Sequence, residues 1–274
     1  MFFKIYVPRT ILIAALLFPA GAGAAQMDYK KHAEEIAGDV AALTAEKIPD
    51  LTKQAEANDA RAQLLLGFAY FYGQGVTRDY QAATQWFEKA AQQGDVLAQY
   101  QLAVDYANGV GGKQNFAQAV HWYAKAAAQG FAEAQFRLGT HYRMGEGVPQ
   151  DDAEALRWFR EAARQNHAEA QWSVGLMYHS GIGGVEKNHA EAVKWYRQAA
   201  EQGLGKAEYY LATLYEVGKG VPQDFIMAYM WYTIAVAKGE PVALRFKTSL
   251  AKQMTPEQID EAQRQAEQWL EQHP

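Results

Sequence analysis

The 274-residue sequence contains no cysteine. That absence excludes disulfides, thiolate nucleophiles, cysteine-ligated zinc, iron–sulfur clusters and lipid attachment through cysteine. Serine is scarce, occurring only as Ser173, Ser180 and Ser249. There is no basic block: 26 Lys and Arg residues are scattered against 31 Asp and Glu, for a net charge of −5. A phosphate backbone would gain little from such a surface, so nucleic acid is not an expected partner. Beyond the first 25 residues no apolar run reaches membrane length, and no membrane insertion is expected of the remaining chain. The composition, 49% hydrophobic and 21% charged, is that of a globular protein. Without cystines its stability has to come from packing.

Residues 1–25 read as a signal peptide. Lys4 and Arg9 give a positive start, Ile11 to Phe18 form a short apolar run, and Ala22, Gly23, Ala24 and Ala25 offer small side chains around a cleavage point. The expected location is therefore periplasmic or secreted. Removing Lys4 and Arg9 leaves 24 basic against 31 acidic residues, a mature charge of −7.

Most of the remainder repeats. The aromatic pairs Trp86-Phe87, Trp122-Tyr123, Trp158-Phe159, Trp195-Tyr196 and Trp231-Tyr232 recur at steps of 36, 36, 37 and 36 residues. Small pairs follow at a fixed offset (Ala90-Ala91 through Ala235-Val236), and glycine brackets precede them, from Gly73-Gln74-Gly75 to Gly218-Lys219-Gly220. Each copy reads as two helices. The first carries an aliphatic, a tiny and an aromatic residue at i, i+1 and i+4, as in Leu66, Gly67 and Tyr70. The bracket ends it, and Asp79, Asn115, Asp151, Asn188 or Asp224 caps the second. The second closes at Gly94, Gly130, Asn166, Gly203 or Gly239; Asn166 is the non-glycine residue best suited to a left-handed cap. The one extra residue falls in the bracket of the fourth copy, at Gly183-Gly184.

These motifs, exemplified by ARAQLLLGFAYFYGQGVTRDYQAATQWFEKAAQQG over 60–94, resemble the Sel-one-like (SLR) repeat family, a subclass of the tetratricopeptide-like solenoids. The resemblance implies an all-α fold: a right-handed α-solenoid of helix-turn-helix repeats at 60–95, 96–131, 132–167, 168–203 and 204–239. Residues 26–59 are expected to form an N-terminal helix and half-repeat cap, in which Leu51, Ala55 and Asn58 keep the register of a second helix. Residues 240–274 form the C-terminal capping helices, where Thr255-Pro256-Glu257-Gln258 opens a capping box and Ile259, Ala262, Ala266 and Trp269 make one apolar stripe.

Little here points to chemistry. The seven histidines show no zinc-type spacing; His141 and His179 are the two on first helices, where a ligand could reach them. Ser249-Leu250-Ala251-Lys252 matches S-x-x-K, yet neither K-T-G nor S-D-N accompanies it. The glycines lack the strand–loop–helix setting of a phosphate cradle. No catalytic residue, cofactor or metal site is expected.

The expected site is a surface. At 100° per residue the face of each first helix opposite the framework carries Arg61, Leu65, Phe68 and Tyr72, then Gln101 and Asn108, then Arg137 and Met144, and finally Tyr210 and Val217. If first helices line a concave wall, these residues form a trough for a protein or peptide partner. The competing expectation is that residues 28–46 fold back over Leu65, Phe68 and Tyr72 and make them core. The function expected is a non-catalytic interaction module of the cell envelope, an adaptor, regulator or scaffold. The alternatives are an immunity protein that neutralises a secreted antibacterial effector, which the resemblance implies, and a cell-wall-directed or β-lactam-binding enzyme.

Overall fold

The computed structural model describes residues 24–273, with side chains from Tyr29 onward. The expected leader at 1–25 lies almost wholly outside the described residues. Among those residues every regular element is an α-helix. They are α1 (Ala24–Ala41), α2 (Ile48–Glu56), α3 (Ala60–Tyr72), α4 (Tyr80–Gln92), α5 (Val96–Asn108), α6 (Phe116–Ala128) and α7 (Ala132–Met144), followed by α8 (Asp152–Arg164), α9 (Ala168–Ser180), α10 (His189–Glu201), α11 (Gly205–Val217), α12 (Phe225–Ala237), α13 (Val242–Ala251) and α14 (Pro256–Gln272). The chain divides into two compact units, one running to Asp151 and the other starting at Asp152. In each, consecutive helices pack on one another.

Local chemistry sets the boundaries. The first helices α3, α5, α7, α9 and α11 all end at a left-handed glycine, with φ between 66° and 71° at Gly73, Gly109, Gly145, Gly181 and Gly218. Asp79, Asn115, Asn188 and Asp224 accept backbone N–H groups from the first turn of α4, α6, α10 and α12, which satisfies donors that the helix itself leaves open. Asn166 has φ 64° as expected, and Asn58 does the same in the half-repeat with φ 71°.

Packing follows from the tiny residue of each first helix. A Cβ added at Gly67 would stand 2.6 Å from the Phe87 ring, and one at Gly175 2.7 Å from Tyr196, so the aromatic of the second helix lies directly on bare backbone there. A polar ladder threads each unit. Gln63, Gln99, Gln135 and Gln171 donate Nε2 to the carbonyls of Ala55, Ala91, Ala127 and Ala163, at 2.9 to 3.3 Å. Gln93, Gln129 and Gln202 then donate to the Oε1 atoms of Gln63, Gln99 and Gln171 at 2.7 to 2.8 Å. Gln63, Gln99 and Gln171 thus have both ends of their buried amides partnered, as burial requires. The C-terminal capping box of Thr255 and Gln258 is formed, and α14 buries Ala262 and Ala266 against α12.

Candidate functional site

In the first unit the start of the first-helix face is occupied. Helix α1 buries Ala33, Ile36, Ala37 and Val40, an i, i+3, i+4, i+7 stripe. Its C-terminal end sits on the first repeat: Arg61 Nη2 meets Asp39 Oδ2 at 2.6 Å, and Gln74 Nε2 donates to the carbonyls of Ala41 and Leu43. Its other end reaches the close of the second repeat. His32 Nε2 lies 3.5 Å from Asp95 Oδ2, while the Tyr29 hydroxyl donates to the Gln129 carbonyl and its ring meets Phe131 edge-on at 5.5 Å. From Tyr29 to Ala41 a helix advances about 18 Å, which matches two inter-helix spacings of about 9 Å.

This corrects the expectation of an exposed stripe at its start. Leu65 is 8% and Phe68 3% exposed; Phe68 packs edge-on against Phe87 at 4.8 Å and stacks on Tyr72 at 6.0 Å. Both are core in this unit, because the apolar stripe of α1 needs an apolar counterpart and first helices supply it. Tyr72 is partly covered, and burial followed by the nearby Asp105 pushes its hydroxyl up to about 12. Arg61 keeps an exposed side chain held by Asp39.

The remaining predicted residues of this unit frame a polar cluster that the sequence reading did not single out. Asp105 is buried, and Gln101 Nε2 at 2.9 Å and Thr84 Oγ1 at 3.2 Å donate to it. Burial raises its carboxyl to about 7 against these two hydrogen bonds, so a proton is shared between bound and free states near neutrality. Arg137 pairs with Glu133 at 2.8 Å and is drawn toward Tyr100 and Tyr123. Asn108 is exposed, its amide donating to the Val104 carbonyl, and Met144 is 60% exposed.

In the second unit Tyr210 is partly buried and Val217 is 55% exposed. Tyr210 is the hub of an aromatic cluster: it stacks on Tyr196 at 5.3 Å, and Tyr209, Trp172 and His179 lie 5.3, 6.1 and 6.1 Å away. Tyr209 extends the cluster to Phe246 at 5.4 Å, and Lys206 Nζ stands 5.3 Å over Trp172. The sequence reading placed Tyr210 but missed Trp172 and Tyr209, which share one register a repeat apart, because it took only one stripe per helix. Eight of the ten predicted residues thus belong to the first unit and two to the second. Ser249 and Lys252 are both exposed at the end of α13. Among the described residues no three His, Asp or Glu side chains are grouped to hold a metal, and no helix is long and apolar enough to cross a membrane.

Tandem helical hairpins with this spacing define a helical-repeat protein whose working parts are surfaces rather than a pocket of reacting groups. The Sel1 repeat model matches residues 60–95, 96–131, 132–167, 168–204 and 205–240, so the chain belongs to the Sel1 repeat family. A protective antigen of uropathogenic Escherichia coli with an SLR fold is 37% identical over 82% of this chain, with a TM-score of 0.72; this chain spans 48% of that protein. A Sel1 repeat protein from Oxalobacter formigenes is 32% identical over 82% of this chain and 99% of its own, with a TM-score of 0.69. No curated protein matches the sequence. Sel1 repeats are generally non-catalytic scaffolds for protein interaction.

Proposed function

We propose that this protein is a non-catalytic interaction module of the cell envelope that docks a protein or peptide partner on its first-helix faces, chiefly around Tyr210. The observation that supports this reading is the half-buried aromatic cluster of Trp172, Tyr209, Tyr210 and Phe246, flanked by Lys206 and the exposed Val217. Large rings beside a cation, on a framework that holds them rigid, are the side chains that dominate protein interfaces. In the first unit the corresponding face already takes an amphipathic helix, α1, so that surface has the shape and apolarity for such a ligand. The positive start and short apolar run before Ala25 support an envelope location.

The test starts with a partner recovered from envelope extracts and continues with calorimetric titration of Tyr210→Ala and Val217→Ser. Losing a central aromatic anchor is expected to weaken binding by about 30-fold, corresponding to about 2 kcal/mol. Unchanged affinity in a variant of intact helicity would overturn the site.

A further inference from the structure

The α9–α10 turn differs from that of the first repeat in two ways at one place. The step from Trp158 to Trp195 is 37 residues, and the extra residue lies in this turn at Gly183-Gly184; both glycines have positive φ, and a Cβ at Gly184 would meet open space. Across the same turn the packing pair is made of histidines. In the first repeat the equivalent pair is Phe71 and Tyr80, with rings 5.2 Å apart at 68°. Here His179 and His189 stand 4.9 Å apart at 76°. Two imidazoles do the packing that a phenyl and a phenol do in the first repeat; the same positions hold Ala107 and Phe116, Arg143 and Asp152, and Glu216 and Phe225 in the others.

Imidazoles bring nitrogens that phenyl rings lack. Each ring keeps Nδ1 buried without a hydrogen-bond partner, while Nε2 is not enclosed. A neutral ring in that setting carries its proton on Nε2, where water or a ligand can accept it. Burial, then His189, Lys187 and Lys219, hold His179 below the ordinary histidine range; burial and the same two lysines do so for His189. The other charged and titratable neighbours are engaged or distant. Glu191 pairs with Lys194 at 2.5 Å, Glu216 accepts from the Tyr232 hydroxyl at 2.7 Å, and Tyr196 and Tyr210 face His179 at 6.3 and 6.1 Å. Glu186 is the turn's own acid, exposed beside Lys187. The place thus presents two imidazole N–H groups and two ammonium groups, next to the aromatic cluster of Tyr210.

We propose that this turn recognises a carboxylate of the docking partner through His179, His189, Lys187 and Lys219, and that it holds that carboxylate more tightly as pH falls. The inference rests on the docking surface around Tyr210. A bound anion offsets the mutual repulsion of the four groups and raises the proton affinity of both rings, so binding takes up protons and strengthens on acidification. A metal ion fits less well, because two nitrogens with no third ligand among the described residues and two lysines nearby do not make a cation site.

Proton NMR of the histidine rings in the full chain tests this, with acetylated hexaglutamate as probe and hexaglutamine and inorganic phosphate as controls. Hexaglutamate is expected to move the His179 and His189 resonances alone among the seven histidines, to raise both titration midpoints, and to bind about tenfold more tightly at pH 5.5 than at pH 7.5. The His179→Phe, His189→Tyr double variant rebuilds the pair of the first repeat, so it should stay folded and lose that pH dependence. The proposal is overturned by still resonances, by an equal response to hexaglutamine or phosphate, or by unchanged pH dependence in the double variant. Those outcomes leave the docking surface standing if Tyr210→Ala still weakens the recovered partner; if Tyr210→Ala is also silent, both fall.

Discussion

Replacing Glu208 with glutamine is expected to stabilise the second unit, and the gain should grow with pH. Glu208 occupies the register of Gln63, Gln99, Gln135 and Gln171 and is fully buried. Those glutamines donate to a carbonyl eight residues back; an ionised carboxylate has no proton to donate to Ala200 in that position. Both Glu208 oxygens are without partners. Burial raises the carboxyl from 4.5 to about 8, with Lys238 opposing. The folded state therefore holds a proton that the unfolded chain has released, and stability falls as pH rises between about 4.5 and 8. At about 1.36 kcal/mol per unit the penalty approaches about 5 kcal/mol above that window. At pH 7 it is about 3 kcal/mol, and at pH 5 less than about 1 kcal/mol.

Glutamine has no such penalty and restores a donor worth about 1 kcal/mol. Lys238 keeps a partner in the variant, since its ammonium donates to the His273 carbonyl at 2.9 Å. Denaturant titrations of wild type and Glu208→Gln at pH 5 and pH 7 measure the difference, and hydrogen exchange of α11 and α12 amides places it. The two proteins should differ by about 2 kcal/mol more at pH 7 than at pH 5. Equal pH slopes, or a variant less stable at pH 7, would refute the reasoning.

Other perturbations follow from the same geometry. Asp105→Asn should flatten a parallel loss of stability in the first unit, because its carboxyl, raised to about 7, also binds a proton in the folded state that is released as pH rises; denaturation curves across pH 4 to 8 read this. Gly67→Ala pushes a methyl into the Phe87 ring at 2.6 Å and should cost about 1 to 3 kcal/mol by thermal unfolding. Asn166→Ala loses an acceptor for Gln171 Nε2 at 3.0 Å and strains a positive φ, for about 1 to 2 kcal/mol, whereas Asn166→Gly loses the acceptor without the strain and should cost less. Ile36→Asp places a charge at a fully buried position of α1 and should free that helix, seen as fast exchange at residues 29–41 with α5 and α6 still protected.

The repeat was legible because its residues answer to local rules. Glycine at Gly73 or Gly218 and asparagine at Asn166 are dictated by a positive φ, and Asp79 or Asn188 by an open helix N-terminus, so spacing alone locates them. The fate of Leu65 and Phe68 was not legible in the same way. Helical periodicity identifies the side of α3 that faces away from α4, but whether α1 lies there depends on a long-range pairing. Phe68 also shows how coarse a 100° wheel is: it touches Phe87 of the paired helix as well as Tyr72. Glu208 was legible and overlooked. Aligning the copies puts it in a column of glutamines and puts Lys238 in the column of Gln93, Gln129 and Gln202, a joint exchange of two amides for an acid and a base.

That joint exchange suggests how function is written onto such a scaffold. Positions that hold the stack together tolerate few residue types, so a repeat that breaks its own column either carries a cost or gains a contact elsewhere. In the second unit the departures from the common pattern are the added residue at Gly183-Gly184 and Glu208 with Lys238, and the His179–His189 pair replaces the Phe71 and Tyr80 of the first repeat. Glu208 carries a penalty that glutamine would remove, and His179 and His189 leave nitrogens unpaired where Phe71 and Tyr80 leave none to pair inside the ring. Stability alone would have kept the glutamine. The proposed carboxylate site would account for the histidines, whereas nothing in the structure explains Glu208 beyond the electrostatic attraction of Lys238. Reversing the two sets separately should separate their roles: Glu208→Gln should raise stability and leave partner affinity unmoved, whereas only the histidine replacement should change partner affinity and its pH dependence.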